Sequence, residues 1–350
     1  MNRFEQPPHE PTSSIDAREN ERTPRLEIWI TRHANRTPEG QLTDEGIAAT
    51  TAKGRSLARS AEVVKGRSSR EKTDRAYKTI DMIAQESGTQ SPLTEERYGT
   101  RRREGLYYDV VGPLEDRIAA QSAAIDSAIL RDRPDYDPKD PKWSKIREQY
   151  QYIGLHRALL DKELMHPMAM GMASAINQSE KIGTEYIRRR TQAVAEHQDQ
   201  ARPITKDVVL PVGTHGAFPE ALLQKALIRE TTDGVQRGFA VTEDEQGVVH
   251  LEDAMGSTIA PTESIHLGHD ISEPTPERIP MQFEKERFVG EQTFLDMPTV
   301  AKLAEQYQTY QDMLRRWRAG ELSKDDFTSE LQTLVKEYET WEQTEDTLAT

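Results

Sequence analysis

The chain has 350 residues, of which 35% are hydrophobic and 30% charged, which predicts one large domain or two small ones together with polar extensions. Its formal net charge of −14 argues against a nucleic-acid partner, because phosphate backbones favour basic surfaces, and the absence of cysteine excludes disulfides and thiolate chemistry. No apolar run approaches the length of a membrane span and the N-terminus carries no apolar signal segment, so we expect a cytoplasmic protein with no membrane contact.

The first predicted elements are a disordered arm, a strand and a helix. Residues 1–24 are rich in proline, serine and charged side chains and offer almost no apolar anchor, which predicts the arm. The segment LEIWI, residues 26–30, is β-branched and aromatic, as is typical of a strand. A helix follows Thr43, a suitable N-cap, with acidic residues in its first turn where the helix dipole favours them. Its inward face is predicted to contain Ile47, Thr51, Leu57 and Ala61.

Strands and helices then continue to alternate. We predict a second strand at residues 63–66, a helix that stops at Gly88, a strand at residues 207–216 and a helix in PEALLQKALIRE, which begins at Pro219. This alternation predicts an α/β core, residues 25–290, built on a mostly parallel sheet with helices on both faces.

Two regions interrupt or follow this core. About residues 105–205 show helical patterns with no obvious strand, which indicates either a helical insertion or cap, or further helices that cover the sheet. Residues 298–345 carry apolar side chains at helical spacing on both sides of Gly320, which predicts a C-terminal helical hairpin. Its apolar stripe indicates packing on the core, and a homodimer through these helices is the alternative.

Two strand ends carry histidine. The first strand leads to Arg32 and His33, with Arg36 close behind, and the strand at residues 207–216 leads to His215. Ligands of open α/β sheets bind at the carboxyl ends of parallel strands. Arginine binds phosphate oxygens, so Arg32, Arg36 and Arg75 would together hold a dianion, and their charges would keep His33 neutral and nucleophilic. An imidazole that attacks phosphorus gives a phosphohistidine, and the departing alkoxide then needs an acid, for which the chain offers Glu95.

Four segments, in order, resemble those of the histidine phosphatase superfamily, the phosphoglycerate-mutase-like fold. TRHANRTPEGQLTDEG resembles its Arg-His-Gly segment, and SSREKTDRAYKT resembles the segment that ends in Arg-Ala-x-x-Thr, whose arginine is Arg75. LTEERYG resembles the segment with a glutamate four residues before a glycine, which gives Glu95, and VGTHGAFPEALL resembles the second-histidine segment, which gives His215. The resemblance covers residues 26–104 and about 206–270.

The resemblance implies a three-layer α/β sandwich that works without metal or cofactor on a small phosphorylated substrate. It further implies His33 as nucleophile, Arg32, Arg75 and His215 as phosphoryl ligands and a carboxylate as proton donor. The insertion falls where the family often carries a substrate-shaping cap.

The chain departs from the family at two positions. Ala34 stands where the family has glycine, and we expect its methyl group to crowd the phosphate and slow the reaction. The RHANRTP segment resembles the acid phosphatase branch, which brings Arg36 into the site, yet that branch takes its acid from an aspartate directly after the second histidine, where this chain has Gly216. Glu95 is therefore the predicted donor and Glu220 the reserve.

We therefore predict a phosphomonoesterase. A phosphoglycerate-mutase-type phosphotransferase is the nearest alternative within the fold, and a non-catalytic relative that binds a phosphorylated partner is the alternative from another class. Retention of both histidines, the arginines and the acid argues against the binder, because binding requires no proton donor. The substrate is not predicted.

Overall fold

The computed structural model describes residues 23–35, 37, 41–64, 75–88, 112–196, 202–245, 248–272 and 274–349. The helices are α1 (Asp44–Ser60), α2 (Arg75–Glu86), α3 (Glu115–Asp132), α4 (Ser144–Gln149), α5 (Gln151–Leu160), α6 (Lys162–Ala195), α7 (Phe218–Ala226), α8 (Met297–Arg318) and α9 (Lys324–Ala349). The strands are β1 (Arg25–Arg32), β2 (Ala61–Val63), β3 (Asp207–Thr214), β4 (Leu227–Thr231), β5 (Gly234–Arg237), β6 (Val241–Glu243), β7 (Val249–Leu251), β8 (Ser264–Asp270), β9 (Arg278–Phe283) and β10 (Gln292–Asp296).

The central sheet is mixed rather than mostly parallel, so that part of the fold prediction is wrong. Over the described ranges its strand order is β2-β3-β1-β8-β9-β10-β4-β5, and β6 pairs separately with β7. β3 runs parallel to β1 and β2, whereas the pairings from β1 through β8 to β5 are antiparallel. The reason is how the strands are connected. Parallel neighbours need a long crossover, usually a helix, whereas antiparallel neighbours need only a short turn. The described residues between β8, β9 and β10 contain no helix, so these strands pair antiparallel.

Helices pack on both faces of the sheet around β1 and β3. Side chains alternate along a strand, so Trp29 and Val209 face α1 and α2, where they join Leu57 and Ile80 in one apolar cluster. Ile28, Ile30 and Val212 point to the opposite face and belong to the main core, to which α6, α7 and α8 contribute. The predicted α/β class is confirmed at this level.

The residues from 112 to 196 form helices joined by turns and short loops, with no strand among them. The long helix α6 contacts β1, β3, α7 and α8, so it covers the sheet. α3 and α5 pack against each other, and α5 also contacts α6 and the β6–β7 hairpin. One helix of this region therefore covers the sheet, and the shorter ones lie beside it.

The C-terminal helices α8 and α9 form the predicted hairpin around Gly320, whose φ of 73° lies in the left-handed region that favours glycine. The apolar stripe of α8 and α9 is buried in the main core, with α8 packed along α6. This burial accounts for the stripe without a second copy of the chain, so the structure does not support the predicted homodimer through these residues.

Three local predictions need correction. β2 spans Ala61–Val63, so it begins two residues earlier than predicted and shares only Val63 with the predicted strand at residues 63–66. α7 ends at Ala226, and the residues from Leu227 onward pair with β10 and β5 rather than continuing the helix. On α1, Ile47 is 40% exposed, while the small residues Gly46, Thr50 and Gly54 face inward with Leu57.

The predicted arm lies outside the described residues, apart from residues 23–24. In the part of the chain that is described, no helix combines the length and the apolar character that crossing a membrane requires.

Candidate active site

The two predicted histidines meet at the carboxyl ends of adjacent parallel strands. β1 and β3 pair in register from Leu26 with Val208 to Arg32 with Thr214, so His33 and His215 follow at the same level. The backbone N–H of His33 donates to the carbonyl of Thr214 at 3.0 Å, which fixes the two strand ends together. The imidazole centroids lie 5.2 Å apart at an interplanar angle of 60°. A group bound between the rings would contact both.

The ring of His33 is held as a neutral imidazole. Nδ1 lies 2.9 Å from the carbonyl oxygen of Ala34, and because a carbonyl only accepts, Nδ1 carries the proton in this contact. The other nitrogen, Nε2, then bears the lone pair of the neutral ring. Burial, followed by the positive charge of Arg75 and by His215 and Arg32, moves the pKa of His33 well below its ordinary value, although the Ala34 hydrogen bond opposes this. Nε2 therefore keeps an unprotonated lone pair at neutral pH.

The backbone after His33 is fixed by α2. The N–H of Ala34 donates to Oγ1 of Thr79 at 3.0 Å, and that hydroxyl donates to the carbonyl of Arg75 at 2.8 Å. Thr79 is the last residue of the Arg-Ala-x-x-Thr segment, but its role in holding the loop after His33 was not predicted. The methyl group of Ala34 is fully buried against the first turn of α1, where a Cβ on Gly46 would lie 3.0 Å from it. Gly46 thus leaves the space that Ala34 fills.

Arg32 lies beneath the turn that follows His215, formed by Gly216 and Ala217. Its Nη1 donates to the carbonyl of Ile259, and only 9% of the residue is exposed. A Cβ at position 216 would lie 2.9 Å from Nη2 of Arg32 and 3.2 Å from Cδ1 of Leu155, so glycine is required for this close approach. Ala217, the next residue, adopts a left-handed φ of 70° and starts α7 immediately after the turn. Such backbone strain in a non-glycine residue is typical of functional sites.

A buried network of charges supports Arg32 from behind. Arg287 donates to both carboxylate oxygens of Glu263, at 2.9 and 3.0 Å, and also to the carbonyls of Met255, Ser257 and Thr258. The backbone of Arg32 is tied to the same loop, because its N–H donates to the carbonyl of Glu263 and its carbonyl accepts from Thr262, both at 3.1 Å. Glu263 is therefore structural, and Arg287, its partner, was missed by the sequence analysis because no local motif marks it.

Burial lowers the pKa of Arg32, and the negative charges of Glu220 and Glu263 oppose that shift. Glu220 lies in the first turn of α7 and is fully buried, and burial raises the pKa of its carboxyl group despite the nearby charge of Arg32. The guanidinium of Arg32 remains charged although it is buried, because arginine does not deprotonate in proteins.

The structure brings together four of the six predicted site residues. His33, His215 and Arg32 adjoin one another, and Arg75, at the first position of α2, is close enough that its charge is the largest influence on the pKa of His33 after burial. Arg36 and Glu95 lie outside the described residues. Among the residues that are described, no three histidine or carboxylate side chains are grouped as a metal ion would require.

The chain was compared with known proteins. No protein-family model matches it, and no curated protein matches it in sequence.

Proposed function

We propose that the protein is a metal-independent phosphomonoesterase that works through a phosphohistidine on His33. The observation that carries this proposal is the pair of imidazoles at adjacent parallel strand ends, 5.2 Å apart, beside a buried arginine. Positive groups around a neutral imidazole are the surroundings that phosphoryl transfer to histidine requires, because the equatorial oxygens of the transferred group carry negative charge.

In the proposed reaction, Nε2 of His33 attacks phosphorus and the bond to the ester oxygen breaks. Arg32, Arg75 and His215 bind the phosphoryl oxygens, and Arg36 joins them if the resemblance to the acid phosphatase branch holds. The departing alkoxide takes a proton from a carboxylic acid and leaves as the alcohol. Water then attacks the phosphohistidine and gives a proton to the same carboxylate, which releases inorganic phosphate and restores both His33 and the acid.

Glu95 is the proposed acid. Gly216 occupies the position of the aspartate in the acid phosphatase branch, and a side chain there would collide with Nη2 of Arg32. Glu220 is fully buried and bonded to the backbone of Ile259, which leaves it poorly suited to proton transfer. The four-residue spacing between Glu95 and Gly99 supports Glu95.

The wider architecture fits the same proposal. Helices on both faces of the sheet support a three-layer sandwich, and Leu155 of α5, which lies against the Gly216 turn, supports a substrate-selecting role for the helical region. A cytoplasmic location is part of the proposal.

The test is hydrolysis of nitrophenyl phosphate from pH 4 to 9, with and without chelator. We expect activity that chelator does not remove and that His33→Ala abolishes. His250→Ala is the matched control, because His250 is an exposed histidine on β7, bonded to Asp244. Loss of activity with chelator and recovery with divalent metal would refute the mechanism. Transfer of the phosphoryl group to an added alcohol in preference to water would indicate a phosphotransferase.

A further inference from the structure

Glu220 and Arg32 hold the same backbone residue. Oε1 of Glu220 accepts a hydrogen bond from the N–H of Ile259 at 2.7 Å, and the carbonyl of Ile259 accepts from Nη1 of Arg32. Ile259 is itself fully buried, so neither backbone group has water as an alternative partner. The position of the Arg32 guanidinium therefore depends on a carbonyl whose own position depends on Glu220.

Arg32 is a charged neighbour of both Glu220 and His33. The charged side chains that act on Glu220 most strongly are Arg32 and Arg287, whereas His33 is influenced by Arg75, His215 and Arg32. Oε2 of Glu220 is buried and has no hydrogen-bond partner among the described residues. Arg287 is itself committed to Glu263 and to three loop carbonyls, so it does not neutralise Glu220 by direct contact.

We propose that Glu220 is a positioning residue that sets the affinity for phosphate by fixing Ile259 and, through it, Arg32. This inference rests on the proposed function, in which Arg32 binds the phosphoryl group. It predicts that the affinity for phosphate depends on the hydrogen-bond acceptor of Glu220 and not on the charge or the acidity of this side chain.

Two substitutions of matched shape separate these properties. Glu220→Gln keeps an oxygen acceptor for the N–H of Ile259 and removes the charge. Glu220→Met has the same unbranched shape but no comparable acceptor, so the buried N–H of Ile259 loses its partner and the loop must shift to recover one. Glu180→Met is the control, because Glu180 is equally a buried, hydrogen-bonded glutamate, but on α6, where it bonds to His269 on β8.

The experiment measures the dissociation constant of inorganic phosphate for the full chain by calorimetry, with thermal unfolding of each variant alongside. We expect Glu220→Met to weaken phosphate binding by about tenfold, the effect of one lost hydrogen bond on the positioning of a charged donor. We expect Glu220→Gln to stay within about threefold of wild type, the scale of an unbroken contact. Glu180→Met should lower the unfolding temperature without changing phosphate affinity.

Hydrolysis distinguishes positioning from acid catalysis. For a positioning residue, Glu220→Met lowers kcat/KM for alkyl and nitrophenyl phosphates by the same factor, because the proton donor is intact. A selective loss on the alkyl substrate in Glu220→Gln would make Glu220 the acid and overturn the inference.

Unchanged phosphate affinity in folded Glu220→Met would also overturn it. If that variant does not fold, Glu220→Gln still decides, since a tenfold loss of affinity there contradicts the inference. A wild-type chain that binds phosphate but hydrolyses no ester would refute the proposed function and leave the positioning role standing. A wild-type chain that binds no phosphate would refute both.

Discussion

Gly216→Ala tests whether the position of Arg32 controls catalysis. The added Cβ would lie 2.9 Å from Nη2 and 3.1 Å from Cζ of Arg32, whereas ordinary contact begins at 3.4 Å. The guanidinium must therefore move by up to 3.4 − 2.9 = 0.5 Å. The guanidinium is constrained on its other side, because Nη1 is bonded to the carbonyl of Ile259. Leu155, 3.2 Å from the new Cβ, prevents the backbone from tilting this methyl group away from Arg32.

The size of the effect follows from what a displaced donor costs. Complete loss of one transition-state hydrogen-bond donor costs about 3 kcal/mol, and a shift of about half an ångström removes part of that. We expect kcat/KM for nitrophenyl phosphate to fall by about ten- to a hundredfold, since each ~1.4 kcal/mol corresponds to a factor of ten. Stability should fall as well, because the buried neighbours must give way to the added Cβ, although the φ of Gly216 lies outside the left-handed region and adds no backbone strain.

Gly183→Ala is the control for packing damage. A Cβ there would lie 2.5 Å from Cδ1 of Leu26, at the opposite end of β1 from His33. This variant should lower the unfolding temperature and retain its kcat/KM at temperatures where it is folded. If Gly216→Ala kept kcat/KM within about twofold of wild type, a difference below 0.5 kcal/mol, the close packing of Arg32 would not matter for catalysis and the reasoning would fail.

Three further substitutions test other parts of the site and fold. Arg75→Ala should reduce turnover by about two orders of magnitude and raise the pKa of His33, measured by NMR titration, because the Arg75 charge lowers it; a normal rate would make Arg75 a surface residue. Glu95→Gln should cripple hydrolysis of an alkyl phosphate and spare nitrophenyl phosphate, whose leaving group needs no proton; equal losses would remove Glu95 as the acid. Although burial opposes both shifts, their contact raises the pKa of His269 from 6.5 and lowers that of Glu180 from 4.5. The ion pair therefore stabilises the fold most between pH 4.5 and pH 6.5. Its contribution is lost at higher pH, as His269 deprotonates in the folded chain, and at lower pH, as Glu180 becomes protonated. His269→Gln should accordingly lower the free energy of unfolding most in that window, and a loss independent of pH would show that the contact is not ionic.

The helices and the parallel strands were more predictable than the short antiparallel strands. Residues from Leu26 to Gly88 and from Asp207 to Ala226 carry long periodic patterns, N-caps and glycine stops, which depend on neighbours in sequence. The strands after Ala226 are short, and they pair through contacts between distant residues. One local signal was available, since the dipeptide Asp233-Gly234 is typical of a hairpin turn and overlaps the two-residue loop Thr232-Asp233 that joins β4 to β5.

The candidate site likewise has residues that local sequence patterns predict and contacts that they do not. His33 and His215 were predictable because each directly follows a strand whose pattern is local. The bond from Arg32 to Ile259 joins residues 227 positions apart, and no periodicity or motif encodes such a contact. Thr79 lay inside a recognised segment, but its bond to the N–H of Ala34 depends on how α2 packs against β1, which a linear pattern does not specify.

The mixed sheet explains how the site acquires this support. The carboxyl end of β1 lies between the carboxyl end of β3, which runs parallel to it, and the amino end of β8, which runs antiparallel. The loop that enters β8 therefore reaches the sheet at the edge where the two histidines emerge, and it brings Ile259 and Glu263 against Arg32. If β8 ran parallel to β1, its carboxyl end would lie at this edge instead, and the chain would leave the sheet there toward another helix. The antiparallel half of the sheet thus supplies the scaffold of the arginine, and the parallel half supplies the histidines.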